Sequence, residues 1–406
     1  MNTRSTSAEP DTHAANYREN HLRKSWPFTF YFLFFAGVAF VAPFVVLYYQ
    51  SLGFTGTQIG LLAGLTPLVT LLGTLLWTGL ADATRRHRLI MSLAMLVGVA
   101  ALSLFPFLIA FAPVLLVSIV LNLFFAPVSS FADSATLFML ADEKEMYGRV
   151  RLGGTFGFGL AAPIAGWLVQ DYGLKLAFWG AATLMFLAFV VSPKLIYRQS
   201  KAGASTGAGV LTLLTNRRWV FFLAVAFAGG LTLAVTNNYL FPFMKELGAN
   251  ERTMGLALAI ATIGEIPVLF FGNQLIQRLK PYGLLMLAMV VSGVRLLLFA
   301  ASSTPNLVML LQLFAGLTFP AMWVAGVSYA DDNAPPGMGA TAQGLFGAMV
   351  FGFGMAMGGF LGGLLLENLG GQGMYLVVGV IVLAIVALSW LGERLLAERP
   401  AAPHNV

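Results

Sequence analysis

Four residues of this 406-residue chain sit where charge is hard to keep. Asp133, Glu265 and Arg295 each fall inside a long apolar run, and Arg151 stands just inside the start of another. An ionised side chain near the middle of a hydrocarbon layer costs about 2.5 to 3.5 kcal/mol on insertion scales, so each needs a partner or a water-filled cavity. Asp133 and Arg151 lie on consecutive runs joined by a short polar loop, and so do Glu265 and Arg295, joined by NQLIQRLKPYG. At about 1.5 Å of rise per residue, Glu265 and Arg295 stand roughly 10 and 18 Å from that loop, a gap an arginine side chain closes in large part. Two pairs are therefore expected. The chemistry open to them is proton exchange, because desolvation favours the protonated carboxyl while a neighbouring guanidinium favours the charged one. Glu265 and Arg295 are the candidates for proton coupling. The plainer reading is that both pairs simply tie helices together.

Amides and rings complete the list of groups able to hold a ligand. Asn122 and Asn237, with Asn238 and Gln312, can hydrogen-bond a solute or another helix. Trp323, Phe158, Tyr239 and the pair Phe34-Phe35 can wall an aromatic pocket, although among 34 Phe most serve packing or face lipid. The chain has no Cys, no phosphate loop of the G-x-x-x-x-G-K-[ST] type, and all four His (His13, His21, His87, His404) lie in the tails or a loop. Thiol chemistry, ATP hydrolysis, a His metal site and a His triad are thereby excluded. No cofactor, metal or enzymatic reaction is expected.

The elements that must position these groups follow from composition. With 58% hydrophobic and 10% charged residues and a mean hydropathy of +0.82, the sequence is that of an all-α integral membrane protein. Twelve apolar stretches are long enough to cross a core of about 30 Å as helices: 26–50, 57–81, 89–111, 114–140, 152–170, 176–196, 219–244, 254–272, 283–302, 307–330, 342–366 and 374–392. Residues 1–25 read as a polar, unstructured tail and not as a cleavable leader. Lys175, Lys245 and Arg252 fall on one side and Arg295 within a span; the other Lys and Arg gather on the side of both termini. This asymmetry places both ends in the cytoplasm, and the net charge of +6 then reports orientation and not a nucleic-acid partner. The partners expected are the lipid bilayer, a small-molecule substrate and a proton, with the chain acting as a monomer in the inner (cytoplasmic) membrane.

The two halves also repeat. Shifting the chain by about half its length aligns Leu52-Gly53 and Gly60-Leu61 with Leu247-Gly248 and Gly255-Leu256, and GFG at 157–159 with GFG at 352–354. The expected organisation is a six-helix bundle over 26–196, a Gly, Ser and Ala-rich linker over 197–218, a second six-helix bundle over 219–392 and a tail over 393–406. Pseudo-symmetric halves around a central site are the architecture of alternating access. Glu265 aligns with Thr70, so the carboxylate is not required by the fold the halves share.

The loop TGLADATRRHR, Thr78 to Arg88, resembles the signature of the major facilitator superfamily between its second and third helices. The resemblance implies that Asp82, with the basic Arg86 and Arg149 of the same side, latches the two bundles and gates the cavity. NLFFAPVSSFADSA (Asn122 to Ala135), YGRVRLGGTFGFG (Tyr147 to Gly159), GEIPVLFFG (Gly264 to Gly272) and SGVRLLLFA (Ser292 to Ala300) are similar to the oligosaccharide:proton symporter group and its phenylpropionate permease relatives. That resemblance carries substrate binding to Asp133 and Arg151 and an acid and a base of helices 8 and 9 to Glu265 and Arg295. Phe158 stands at the group's sugar-stacking Trp, and Met322 and Trp323 stand where its sugar carriers have a His and a Glu. The function expected is secondary active transport of a small organic solute, an aromatic acid or a sugar-like compound, by alternating access and proton symport. The alternative is an uncoupled facilitator of the same fold with structural charges.

Overall fold

The computed structural model describes residues 12–140, 143–197, 213–335 and 338–397. Its helices long and apolar enough to cross a membrane are α1 Ser25–Ser51, α2 Gly56–Thr84, α3 His87–Phe107, α4 Phe111–Met139, α5 Tyr147–Tyr172, α6 Lys175–Lys194, α7 Arg217–Glu246, α8 Glu251–Gly272, α9 Gln274–Ala300, α10 Pro305–Asp332 and a final stretch, Thr341–Leu395. That last stretch has 55 residues, far more than one crossing needs at about 1.5 Å per residue. It is broken at Gly370, whose φ of 68° and ψ of 179° no helix tolerates, so it supplies two crossings, α11 (341–369) and α12 (371–395). Among the described residues this makes twelve crossings, the number the hydropathy pattern predicts.

Local chemistry sets the turns, and the halves use the same devices 195 residues apart. Gly53 (φ 78°) and Gly248 (φ 86°) reverse the chain after α1 and α7. Thr55 caps α2 by accepting from the Gln58 amide, and Asn250 caps α8 by accepting from the Thr253 amide at 2.9 Å. Arg85 (φ 57°) reverses the chain between α2 and α3, and Lys280 (φ 58°, ψ 159°), near the start of α9, does so within the stretch Glu251–Ala300, which is helical on either side of it. The ends of the chain are more helical than their polarity suggests. A helix begins at Thr12 and runs unbroken into α1, and α12 continues to Ala397 through GERLLA, all but the Gly good helix formers. Residues 1–11, most of the linker (198–212) and 398–406 lie outside the described residues.

The bundles meet along two seams, α2 against α11 and α5 against α8, and both are tight only at the end away from the linker. There a Cβ on Gly363 would stand 2.4 Å from the Gly56 carbonyl oxygen, and one on Gly166 would stand 2.4 Å from the Glu251 carbonyl oxygen, so backbone packs on backbone. Phe44 and Phe241 add an edge-on ring contact between α1 and α7 at 4.9 Å. Polar contacts lock the same end: Glu367 accepts from the amide and hydroxyl of Thr57, both at 2.7 Å, and Arg252 pairs with Asp171 at 2.7 Å. At the linker end the helices part. Gly79 on α2 and Gly148 on α5 have open space around them, and Gly272 on α8 has only Val324 of its own bundle, at 3.7 Å.

Candidate functional site

Between the bundles lies a cavity of about 450 Å³, roofed at the sealed end by Ala42, Pro43 and Phe241. Charge enters it from both halves. Arg151 and Phe158 reach it from α5, Asn237 from α7, Glu265 from α8, Arg295 from α9 and Gln312 from α10. Its remaining surface is mostly apolar, relieved by Thr155, Thr232, Thr236, Thr262, Ser292 and Thr318.

On the N-terminal side the expected pair forms. Arg151 Nε lies 3.6 Å from Asp133 Oδ1, and the Tyr31 hydroxyl donates to the same oxygen at 2.6 Å while accepting from Thr136 at 3.2 Å. The guanidinium rests on two rings of α1, 4.7 Å from the Tyr31 centroid and 4.4 Å from that of Phe35. These contacts hold Arg151 at the cavity wall, while Asp133 stands behind it and does not line the cavity. Tyr31, absent from the sequence-level candidates, is buried and orients the carboxylate. Its signal was a Tyr in an otherwise Phe-rich stretch of α1.

On the C-terminal side the expected pair does not close. Arg295 is buried, and among the described residues no carboxylate lies within ion-pair distance of it. Its Nε donates to the Leu311 carbonyl at 3.2 Å, its Nη2 donates to Gln312 Oε1, and its guanidinium lies 5.0 Å from the Phe299 ring. Both acceptors lie where α10 changes form: it tightens to a 3-10 stretch over Gln312–Leu317 before a fully non-helical Thr318 (φ −100°, ψ −103°), and Pro320 has no N–H to give the preceding turn. Arg295 donates to the carbonyl of Leu311, the residue that leads into that stretch. Helix α8 presses on the break as well: a Cβ on Gly316 would stand 2.3 Å from the Gly264 carbonyl oxygen and 3.0 Å from the Glu265 Cα. Glu265 itself is half-buried and faces the cavity, not lipid, within the electrostatic reach of Arg295. The lipid-facing positions beside it are Ile263, Ile266 and Phe270.

Other candidates are placed elsewhere. Asn122 sits between α4 and α2, donating to the Ser118 carbonyl at 2.8 Å beside Thr66, and lines only a small separate pocket. Trp323 packs behind the wall, its ring 6.1 Å from Phe319 and 4.9 Å from Phe351, which do line the cavity. Asp82 lies 2.9 Å from His87 Nε2 at the linker end, Arg86 is exposed at the head of α3, and Arg149 contacts Met146. Among the described residues, polar contacts between the bundles join Thr57 to Glu367 and Asp171 to Arg252 at the opposite end. Sequence reading passed over these because charges at span ends look solvated.

Two inward-facing half-sites in a cleft between repeated six-helix bundles form the architecture of a solute carrier, and a family model, the MFS_1-like family, matches residues 28–377. The chain belongs to that family. Members of this kind are transporters and not enzymes, and the fold is that of the major facilitator superfamily. Maltose permease of Geobacillus stearothermophilus is 28% identical over 370 residues, covering 88% of this chain and 93% of the permease. The probable 3-phenylpropionic acid transporter of Escherichia coli strain K12 is 25% identical over 369 residues, covering 88% and 95%. In structure, the nucleoside transporter NupG superposes with a TM-score of 0.81 at 18% identity, over 92% of this chain and 99% of NupG, a likeness of fold.

Proposed function

We propose that this MFS_1-like chain is a proton-coupled secondary transporter, a monomer of the inner membrane with both termini cytoplasmic. It moves a small organic solute through the central cavity. The observation that carries the reading is Glu265: an acid in the membrane interior, facing a cavity and a buried arginine, with no fixed ion pair to hold it. Such a group takes a proton when the cavity is closed to water and yields it when water returns. Arg151, Phe158, Asn237 and Arg295 contact the solute, with Asp133 positioning Arg151. Asn122 and Trp323 act from outside the cavity wall, and Asp82, Arg86 and Arg149 close the linker end in the opposite state. With the basic linker side cytoplasmic, the seams describe an inward-facing form, sealed toward the outside by the glycine contacts and the two polar latches.

The experiment is solute addition to a lightly buffered suspension of cells or proteoliposomes containing the protein. Proton symport makes the external medium alkaline as solute enters. Solute entry with no pH change would show an uncoupled facilitator.

A further inference from the structure

We infer that the solute is a monocarboxylate, and that Gln312 and Arg295 together receive its carboxylate on the C-terminal side of the cavity. This rests on the transporter reading above and deepens it by naming the substrate class and a specificity residue.

The two arginines of the cavity are not equivalent. Arg151 has a carboxylate at 3.6 Å and two aromatic rings against its faces, so its charge is answered within the protein. Arg295 is only 6% exposed, yet its hydrogen bonds go to the Leu311 carbonyl and the Gln312 amide oxygen, both uncharged. A buried cation without a counter-ion is an expensive arrangement, and it becomes favourable when an anion arrives. Glu265 supplies that anion only while ionised. Once Glu265 is protonated, Asp133 and Arg151 cancel, Arg295 is left with one positive charge, and a solute with one negative charge makes the loaded cavity neutral.

Gln312 sharpens the choice. Its side chain is 1% exposed, and its Oε1 is committed to Arg295, which fixes the direction of the amide. Its Nε2 then has no acceptor among the described residues. Leaving a buried N–H group unsatisfied is costly, so this amide is poised for an incoming acceptor. A guanidinium N–H and an amide N–H side by side match the two oxygens of one carboxylate. A sugar hydroxyl can accept from either donor but leaves the charge unanswered, and a phosphate dianion overcompensates it. Phe158, Phe319, Phe351 and Met322 line the remaining space, which suits an aryl or alkyl body carried by the acid.

The test is isothermal titration calorimetry on the purified full-length protein with 3-phenylpropionate, 3-phenylpropionamide and 3-phenylpropan-1-ol, and with maltose and uridine as neutral polyols. The acid binds more tightly than its amide and alcohol by about tenfold or more, as a site built for a charge-assisted contact requires. Gln312→Glu, which sets a resident anion on Arg295, abolishes that preference, and Gln312→Leu weakens the acid while sparing the alcohol. Both variants must elute as monodisperse protein for the comparison. Equal binding of acid and alcohol, binding of maltose or uridine without the acid, or no binding of any probe overturns the assignment. Binding is read without a gradient. Loss of proton coupling with acid preference intact would sink the transport mechanism alone, and preserved coupling with no acid preference would sink this assignment alone.

Discussion

Arg295 donates to Gln312 and to the Leu311 carbonyl, where α10 tightens, and forms no ion pair with Glu265, which lines the same cavity. One guanidinium thus stands between two claims: the frayed helix that it caps and the acid that its charge would attract. When Glu265 loses its proton, attraction to Arg295 grows and competes with the cap, and α8 already lies against the same segment through Gly264 and Gly316.

A lysine cannot make that fork. Arg295→Lys keeps the charge but loses the planar arrangement that reaches Leu311 and Gln312 together. Solute affinity falls by about tenfold, and the melting temperature of the purified protein drops. Unchanged affinity would mean that charge alone matters at this position.

The sealed end depends on helices touching at backbone distance. Gly363→Leu inserts a side chain where a Cβ alone would meet the Gly56 carbonyl at 2.4 Å. The α2–α11 seam must open, shifting the population toward the form accessible from the end away from the linker. The chain has no Cys, so Asn237→Cys gives a unique thiol in the cavity. Its labelling by a membrane-impermeant maleimide from that end rises by about tenfold or more in the Gly363→Leu background. Equal rates would show that the seam does not control access.

The polar latches at that end are exposed, and each is worth little alone. Arg252→Ala removes the 2.7 Å pair with Asp171 and Glu367→Gln weakens the contacts to Thr57, each by about 0.2 to 1 kcal/mol. Lying on different seams, their effects on thiol labelling multiply in the double variant. A double variant no different from either single one would mean that breaking one latch already releases the other, so that the two are not independent.

Tyr31 orients the N-terminal pair. Tyr31→Phe removes the hydroxyl that donates to Asp133 at 2.6 Å and lowers stability by about 1 to 2 kcal/mol, read as a shift in thermal unfolding. Asp133→Asn frees Arg151 and leaves the cavity with an additional positive charge, so one carboxylate no longer makes the loaded cavity neutral. A Tyr31→Phe protein as stable as the parent would assign the pair no help from the Tyr31 hydroxyl.

Much of the architecture was legible because membrane helices are written in long apolar runs and their turns in residues with few alternatives. Gly53 and Gly248, and Arg85 and Lys280, fall at matching places in the two halves because both chains must reverse there. The Asp133–Arg151 pair was legible too, since both side chains lie near the loop that joins α4 to α5. The partner of Arg295 was not. Helical rise places Arg295 within reach of Glu265, but its hydrogen bonds go to Leu311 and Gln312 on α10, a packing no spacing argument contains. Asn122 and Trp323 show the same limit: an amide or ring of suitable chemistry can lie on the far side of its helix, and periodicity without a packed neighbour does not say which face meets the cavity.

The most direct test of the central claim compares two modes of transport in Glu265→Gln, in proteoliposomes loaded with or without unlabelled solute. A neutral amide holds the cavity permanently in its proton-loaded charge state. Uphill accumulation driven by a pH gradient is lost, while exchange of labelled for unlabelled solute persists at close to the parent rate. Gradient-driven accumulation that survives the substitution would contradict the account.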